Sequence, residues 1–349
     1  MEQTTSPPHL DITVLAEELE AGAATVLEAI RPAWSVDKVT YKLFTDGITN
    51  KLIGCFNSAN GSSDVDIILV RVYGPNTDLL INRKTELENI KLLQGVGFAP
   101  PLFATFNNGL AYQYIPGEVL TVETVRSPEI YPHVARRLAQ LHRLRLHDCQ
   151  HEPMLWPALD KFIKLIPQQY SDPDKQKRFA SLVAGGVQSL AEECESLRSA
   201  LSHLHSPVVF CHNDLLLGNI IRTPSSVSFI DYEYAAYNYQ AFDIGNHFDE
   251  FAGVSDVDFS RYPEPQLQQA WLQVYLEEFL GRFPNDSEVT TLYEQVNKFA
   301  LAAHFIWGIW ALVQAQHSNI DFDFVQYAAL RLGEYFKNKS LLLSEHESS

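Results

Sequence analysis

The chain has 349 residues, 46% of them hydrophobic and 20% charged, with a formal net charge of −17. That length and composition predict one large domain or two lobes with ample core. The acid excess argues against a nucleic-acid binder, which needs a basic face, although an acidic enzyme can still hold nucleotide phosphates through metal ions and a few local cations.

Residues 1–10, with two prolines and small polar side chains, read as a disordered tail. An acidic start without a basic region predicts no signal peptide. A helical pattern runs from Ile12 to Ile30. "VTYKLFTDGITNKLIGCF" (Val39–Phe56) reads as two strands joined near Asp46-Gly47. "DIILVRVYG" is a third strand, "NRKTELENIKLLQGVG" a helix stopping at glycine, and "PLFATFNNGLAYQYI" a hairpin turning at Asn108-Gly109. These place an N-terminal lobe with a leading helix at 11–112 and a connection at 113–118. A helical lobe is expected over 119–340 and a tail over 341–349.

Within the helical lobe, Tyr131–Leu144 is a helix and Ser171–Lys177 a polar surface loop, with short strands at Val208–Cys211 and Val227–Ile230. "HFIWGIWALVQA" (His304–Ala315) is too short to span a membrane and reads as a buried helix. Cys55, Cys149, Cys194 and Cys211 are scattered, which predicts neither a zinc site nor a disulfide framework and fits the cytoplasm.

The chemistry concentrates in "CHNDLLLGNI" and "SFIDYEY". His212, Asp214 and Asn219 form H-x-D-x-x-x-x-N, followed by Asp231 after a strand. A phosphotransferase needs a carboxylate to accept the nucleophile's proton, which Asp214 supplies. It also needs oxygen ligands for Mg²⁺, which Asn219 and Asp231 supply. The competing reading is two unrelated polar turns that cap backbone groups. The strand-Asp that follows, behind a strand-rich lobe, favours phosphotransfer. His212 is expected to pack beneath the loop.

These motifs, with "FTDGITNKLIGCF", "LVRVYG", "FNNGLAYQYIPG", "YEYAAYNYQAFDIGNHFDEF" and "HFIWGIWALVQA", resemble the choline/ethanolamine kinase family from about Val39 to Phe336. "DIGNHFDEFAGVSDVD" is more similar to the ethanolamine branch. The resemblance implies an α+β, protein-kinase-like bilobal fold and ATP and Mg²⁺ as cofactors. It implies ethanolamine as acceptor, or choline, and the first step of the CDP-ethanolamine route to phosphatidylethanolamine. It implies that Thr45, Asp46, Gly47, Ile48, Thr49, Asn50 and Lys51 cover the phosphates, although one glycine alone reads as a hairpin turn. Arg71 would grip phosphates, paired with Glu86 in preference to Glu88, and the backbone of Gln113, Tyr114 and Ile115 would meet adenine. Asp243 would support the loop. Glu250 would meet the acceptor's ammonium beside Trp307, Trp310, Phe322 and Tyr327. The two tryptophans, three apart, share a helix face and otherwise read as core. Rival readings are a choline or dual-specificity kinase, an inactive kinase-like scaffold and an aminoglycoside phosphotransferase. Neither nucleic acid nor an integral membrane position is implied, and both monomer and oligomer are compatible.

Overall fold

The computed structural model describes residues 7–44, 50–57, 66–146 and 152–343. The chain divides into two compact units, Met1–Pro116 with Ser318–Ile320, and Gly117–His317 with Asp321–Ser349.

The first unit is built on a six-stranded sheet. Its strands are β1 (His9–Leu10), β2 (Val39–Phe44), β3 (Lys51–Asn57), β4 (Asp66–Val72), β5 (Leu102–Phe106) and β6 (Gly109–Gln113). The order is β1-β5-β6-β4-β3-β2, antiparallel throughout except that β1 runs parallel to β5. The expected tail therefore ends early, because His9 and Leu10 pair with Thr105 and Phe106. The turn expected at Asp46-Gly47 lies outside the described residues.

Helix α1 (Leu19–Ile30) buries Ala23, Val26 and Leu27 against Ile53, Cys55, Ile68 and Val70 of the sheet. It begins seven residues later than the apolar spacing predicts. Asn108 explains the delay: its side chain accepts from the Val14 N–H at 3.0 Å and donates to the Val14 carbonyl at 2.8 Å, spending backbone groups that a helix would need. A Cβ on Gly22 would lie 2.5 Å from Val14 Cγ1, so glycine there lets this segment pack on the helix. Helix α2 (Arg83–Gly95) is capped by Asn82, whose side chain accepts from the N–H groups of Lys84 and Thr85.

The second unit contains β7 (Glu118–Val119), α3 (Tyr131–His142), α4 (Leu155–Leu165), α5 (Pro173–Leu182) and α6 (Gly186–Ser202). After these come β8 (Val208–Cys211), β9 (Ile220–Arg222), β10 (Val227–Phe229), β11 (Ala236–Tyr239) and α7 (Gln240–Asp249). The chain closes with α8 (Pro265–Leu280), α9 (Asp286–His317) and α10 (Phe324–Leu343). Residues 173–177 are the first turns of α5 rather than a loop. Asp172 accepts from the Asp174 and Lys175 N–H groups and Pro173 occupies the first turn, a start signal that the polarity of the segment conceals.

Helix α9 is the core of this unit. It has 32 residues, so it is long and apolar enough to cross a membrane by length and composition, but 94% of its apolar window is buried. The expectation that this stretch is too short for a span fails on helix length, and the expectation that it is buried holds. Helices α7 and α10 pack on α9 most closely. A Cβ on Gly245 of α7 would sit 2.8 Å from the Val296 carbonyl oxygen and 2.9 Å from the Ala300 nitrogen of α9. The two backbones touch only because the residue is glycine.

Candidate active site

Strand β8 delivers the chain into the loop of Asp214. A 3₁₀ turn (Leu217–Asn219) ends it, and the β9–β10 hairpin brings the chain back. The Ile230 N–H donates to the Asn219 carbonyl at 3.0 Å, which places Asp231 beside Asn219. Asn213 and Asp231 both have positive φ, 66° and 61°. Such strain persists only where the surroundings over-determine it, and at Asn213 they do. Asp243, at the start of α7, accepts from the backbone N–H of His212 at 2.8 Å and of Asn213 at 2.7 Å. His142 donates to Asp243 at 2.8 Å from its Nε2, and its Nδ1 lies 2.6 Å from the Tyr275 hydroxyl. Burial pushes the Asp243 carboxyl up, but these donors and nearby histidines leave it below the ordinary range. His212 packs beneath the loop, its Nε2 2.9 Å from the Ile230 carbonyl, and burial lowers its pKa. The Asn213 amide donates to the Tyr234 carbonyl at 3.0 Å and accepts from Asn238 at 2.8 Å.

Asp214 is half-buried. Desolvation holds its carboxyl well above the ordinary range, helped by Asp231, Glu250 and Glu233 and opposed by Arg331. Glu250 is buried and accepts from Arg331 Nη1 at 2.8 Å. Burial raises the Glu250 carboxyl, and Arg331 offsets part of that rise. The guanidinium of Arg331 also lies 5.9 Å from the centre of the Tyr327 ring.

The aromatic residues form one connected wall. Trp307 and Trp310 meet edge to face at 5.7 Å, and Tyr234 meets Trp307 at 5.2 Å. Trp307 donates its indole N–H to Asn246 at 2.7 Å, and Trp310 donates to the Tyr234 hydroxyl at 2.8 Å. Phe322 meets Tyr327 at 5.7 Å. With the indole N–H groups satisfied internally, the rings are held rigidly, as a core stripe and a binding wall both require.

In the first unit, Arg71 on β4 pairs with Glu86 of α2, whose second carboxylate oxygen accepts from Arg83 at 2.9 Å. Glu88 is exposed and lies 4.0 Å from Lys84. Asn50 Oδ1 lies 3.4 Å from Arg83, and Lys51 donates to the Ala16 carbonyl at 3.1 Å. Thr45, Asp46, Gly47, Ile48 and Thr49 lie outside the described residues. The N–H groups of Gln113 and Tyr114 donate to Pro101 and Ile67.

Residues 41–336 match the choline/ethanolamine kinase family model. The chain belongs to the choline/ethanolamine kinase family. Human ethanolamine kinase 1 is 48% identical over 95% of this chain and 75% of its own length. The Drosophila melanogaster ethanolamine kinase is 43% identical over 97% of this chain and 80% of its own. The structure of Plasmodium vivax ethanolamine kinase superposes with a TM-score of 0.80 at 28% identity, covering 92% of this chain and 89% of that one. The fold of this choline/ethanolamine kinase family member is accordingly protein-kinase-like.

In this kinase family member the fold brings Asp214, Asn219, Asp231 and Glu250 into one unit with the aromatic wall. The donor set suits Mg²⁺. The Asn219 amide nitrogen donates to the Asp214 carbonyl at 2.9 Å, so its oxygen is the atom left for a cation, and Asp231 adds a hard carboxylate oxygen. Sequence reading overlooks Arg331, His142, Tyr234 and Asn246. Tyr327 and Arg331 are four apart on α10 and so share a face, a signal that was present. His142 follows Leu138 by four and Val134 by eight and so lies on the apolar face of α3, again a signal that was present, whereas α7 is buried all round and no face marks Asn246.

Proposed function

We propose that the chain transfers the γ-phosphoryl group of ATP to the hydroxyl of ethanolamine, the first step of the CDP-ethanolamine route. The observation that carries this reading is the Asp214 loop, fixed from below by Asp243 and joined to a buried carboxylate and an aromatic wall. It is supported by 48% identity to human ethanolamine kinase 1 over nearly the whole chain. Asp214 orients the acceptor hydroxyl and takes its proton as the oxygen–phosphorus bond forms and the bond to ADP breaks. Asn219 and Asp231 hold Mg²⁺, which neutralises charge on the phosphates when bound. Arg71, set by Glu86, contacts phosphate oxygens, with Asn50 and Lys51 contributing from the start of β3. Of Gln113, Tyr114 and Ile115, the first two have spent their N–H groups, so adenine recognition falls to Ile115 N–H and the carbonyls.

The acceptor's ammonium lies against Glu250, Trp307, Trp310, Phe322 and Tyr327. An –NH₃⁺ donates three hydrogen bonds and gains from a carboxylate, whereas a trimethylammonium donates none and needs a wider cage. Among the described residues the three cysteines, Cys55, Cys194 and Cys211, are buried and free, which supports a reducing, cytoplasmic setting. Initial rates with both alcohols test the substrate. kcat/KM is expected to favour ethanolamine, and a preference for choline would overturn the assignment. Asp214→Asn is expected to lower kcat by about 10²–10⁴-fold. An unchanged rate would remove Asp214 from the mechanism.

A further inference from the structure

Asp249 and Glu250 are consecutive, but they serve different surroundings. Glu250 belongs to the Asp214 cluster. Asp249 lines a separate cavity of about 190 Å³, bounded also by Phe259, Tyr262, Asn297, His304 and Glu334. Asp249 is 1% exposed, and neither of its carboxylate oxygens receives a hydrogen bond. His304 Nε2 lies 3.2 Å from one oxygen and Arg331 Nη2 3.7 Å from the other, neither in hydrogen-bonding geometry. His304 Nδ1 is also buried without a partner. The remaining polar groups of the wall are satisfied. Asn297 accepts from the Tyr262 hydroxyl at 3.0 Å and donates to Gln268 at 2.8 Å, and Glu334 accepts from Asn338 at 2.7 Å. Arg331 Nε and Nη2 are also buried without hydrogen-bond partners, so Asp249 has charge partners in Arg331 and His304 but no hydrogen bond from either, and the unmet demand of this cavity is for a hydrogen-bond donor at Asp249.

We propose that this cavity is a second binding site, for a small primary organic ammonium. A hard divalent ion takes six or more oxygen ligands, and much of the cavity's lining is carbon, from Phe259, Ala300, Leu301, Leu341 and Leu342. An ammonium on a short hydrocarbon matches both sides, with N–H groups to Asp249 and carbon to Phe259. The volume falls below the roughly 300–1,000 Å³ of clefts that take drug-sized ligands, which limits the occupant to a small amine. The site also communicates. Arg331 bonds Glu250 while facing Asp249, so a cation at Asp249 shifts the guanidinium's charge towards Glu250 and weakens that carboxylate's hold on an acceptor ammonium. This coupling rests on the acceptor role of Glu250, whereas the binding does not.

n-Butylammonium, which has no hydroxyl to phosphorylate, is the probe. Titrated into the full chain by calorimetry, it is expected to bind at two equivalents in the wild type and one in Asp249→Asn. Equal stoichiometry in the two proteins would overturn the site. Should the variant fail to fold, soaked wild-type crystals decide: an ammonium within hydrogen-bond distance of Asp249 supports the site, and an empty cavity overturns it. If ethanolamine is not phosphorylated but the stoichiometries are still two and one, the proposed reaction fails and this site stands, whereas one equivalent in the wild type and none in the variant would overturn the site.

Discussion

Asp214, Glu250 and Arg331 form a charge set in which each member alters the others. Glu250 raises the Asp214 carboxyl and Arg331 lowers it. A base must be deprotonated to act, so activity is lost as pH falls through its pKa. Glu250→Gln is therefore expected to move the acid limb of kcat/KM to lower pH, while raising KM for ethanolamine about tenfold by loss of one charged contact. Arg331→Met is expected to move the same limb to higher pH. Shifts in the same direction in both variants would contradict this account. Glu86 was half legible in the sequence: Glu86, Asn89 and Leu93 recur at helical spacing and are all buried, and Glu88 falls off that face. Arg331 was not recognised, because an arginine on an amphipathic helix reads equally well as solvated.

Helix α7 shows how one element serves both packing and the site. Its Gly245 lies against the backbone of α9, so Gly245→Ala is expected to destabilise the protein by about 1–3 kcal/mol in denaturant melts, although alanine is the better helix former. His247, one turn on from Asp243, has its Nδ1 3.1 Å from the Leu215 carbonyl, next to Asp214. Burial depresses its pKa from 6.5 to about 4. The folded state then binds fewer protons than the unfolded one between those values. The corresponding stability, about 3 kcal/mol, is full above pH 6.5 and is lost as pH falls towards 4. Melting temperatures measured across that window should fall, and His247→Gln should flatten the slope. Strands β2 to β6, β8 and β10 and helices α2 and α3 were legible from period-2 and period-3.6 spacing, whereas β1, β7, β9 and β11 were too short to show a period. The start of α1 was not, because Asn108, 94 residues away in sequence, captures the backbone of Val14.

For the whole molecule, a net charge of −17 attracts a cationic acceptor more than an anionic nucleotide. Raising ionic strength from about 0.02 to 0.3 M should raise KM for ethanolamine by roughly two- to tenfold with little change in kcat. An unchanged KM would confine the electrostatics to the pocket. The sequence by itself determined the strand-rich unit followed by a mainly helical one, the H-x-D-x-x-x-x-N loop followed by Asp231, and the family, because each is written in neighbouring residues. Only the tertiary structure decided which charges meet. Glu250 pairs with Arg331 across 81 residues and Asp243 with His142 across 101. Those pairings follow from how α7, α9 and α10, or α3 and β8, pack together, and no local period records them. Nor does any local pattern record that Asp249, beside Glu250, is left in a cavity without a hydrogen bond.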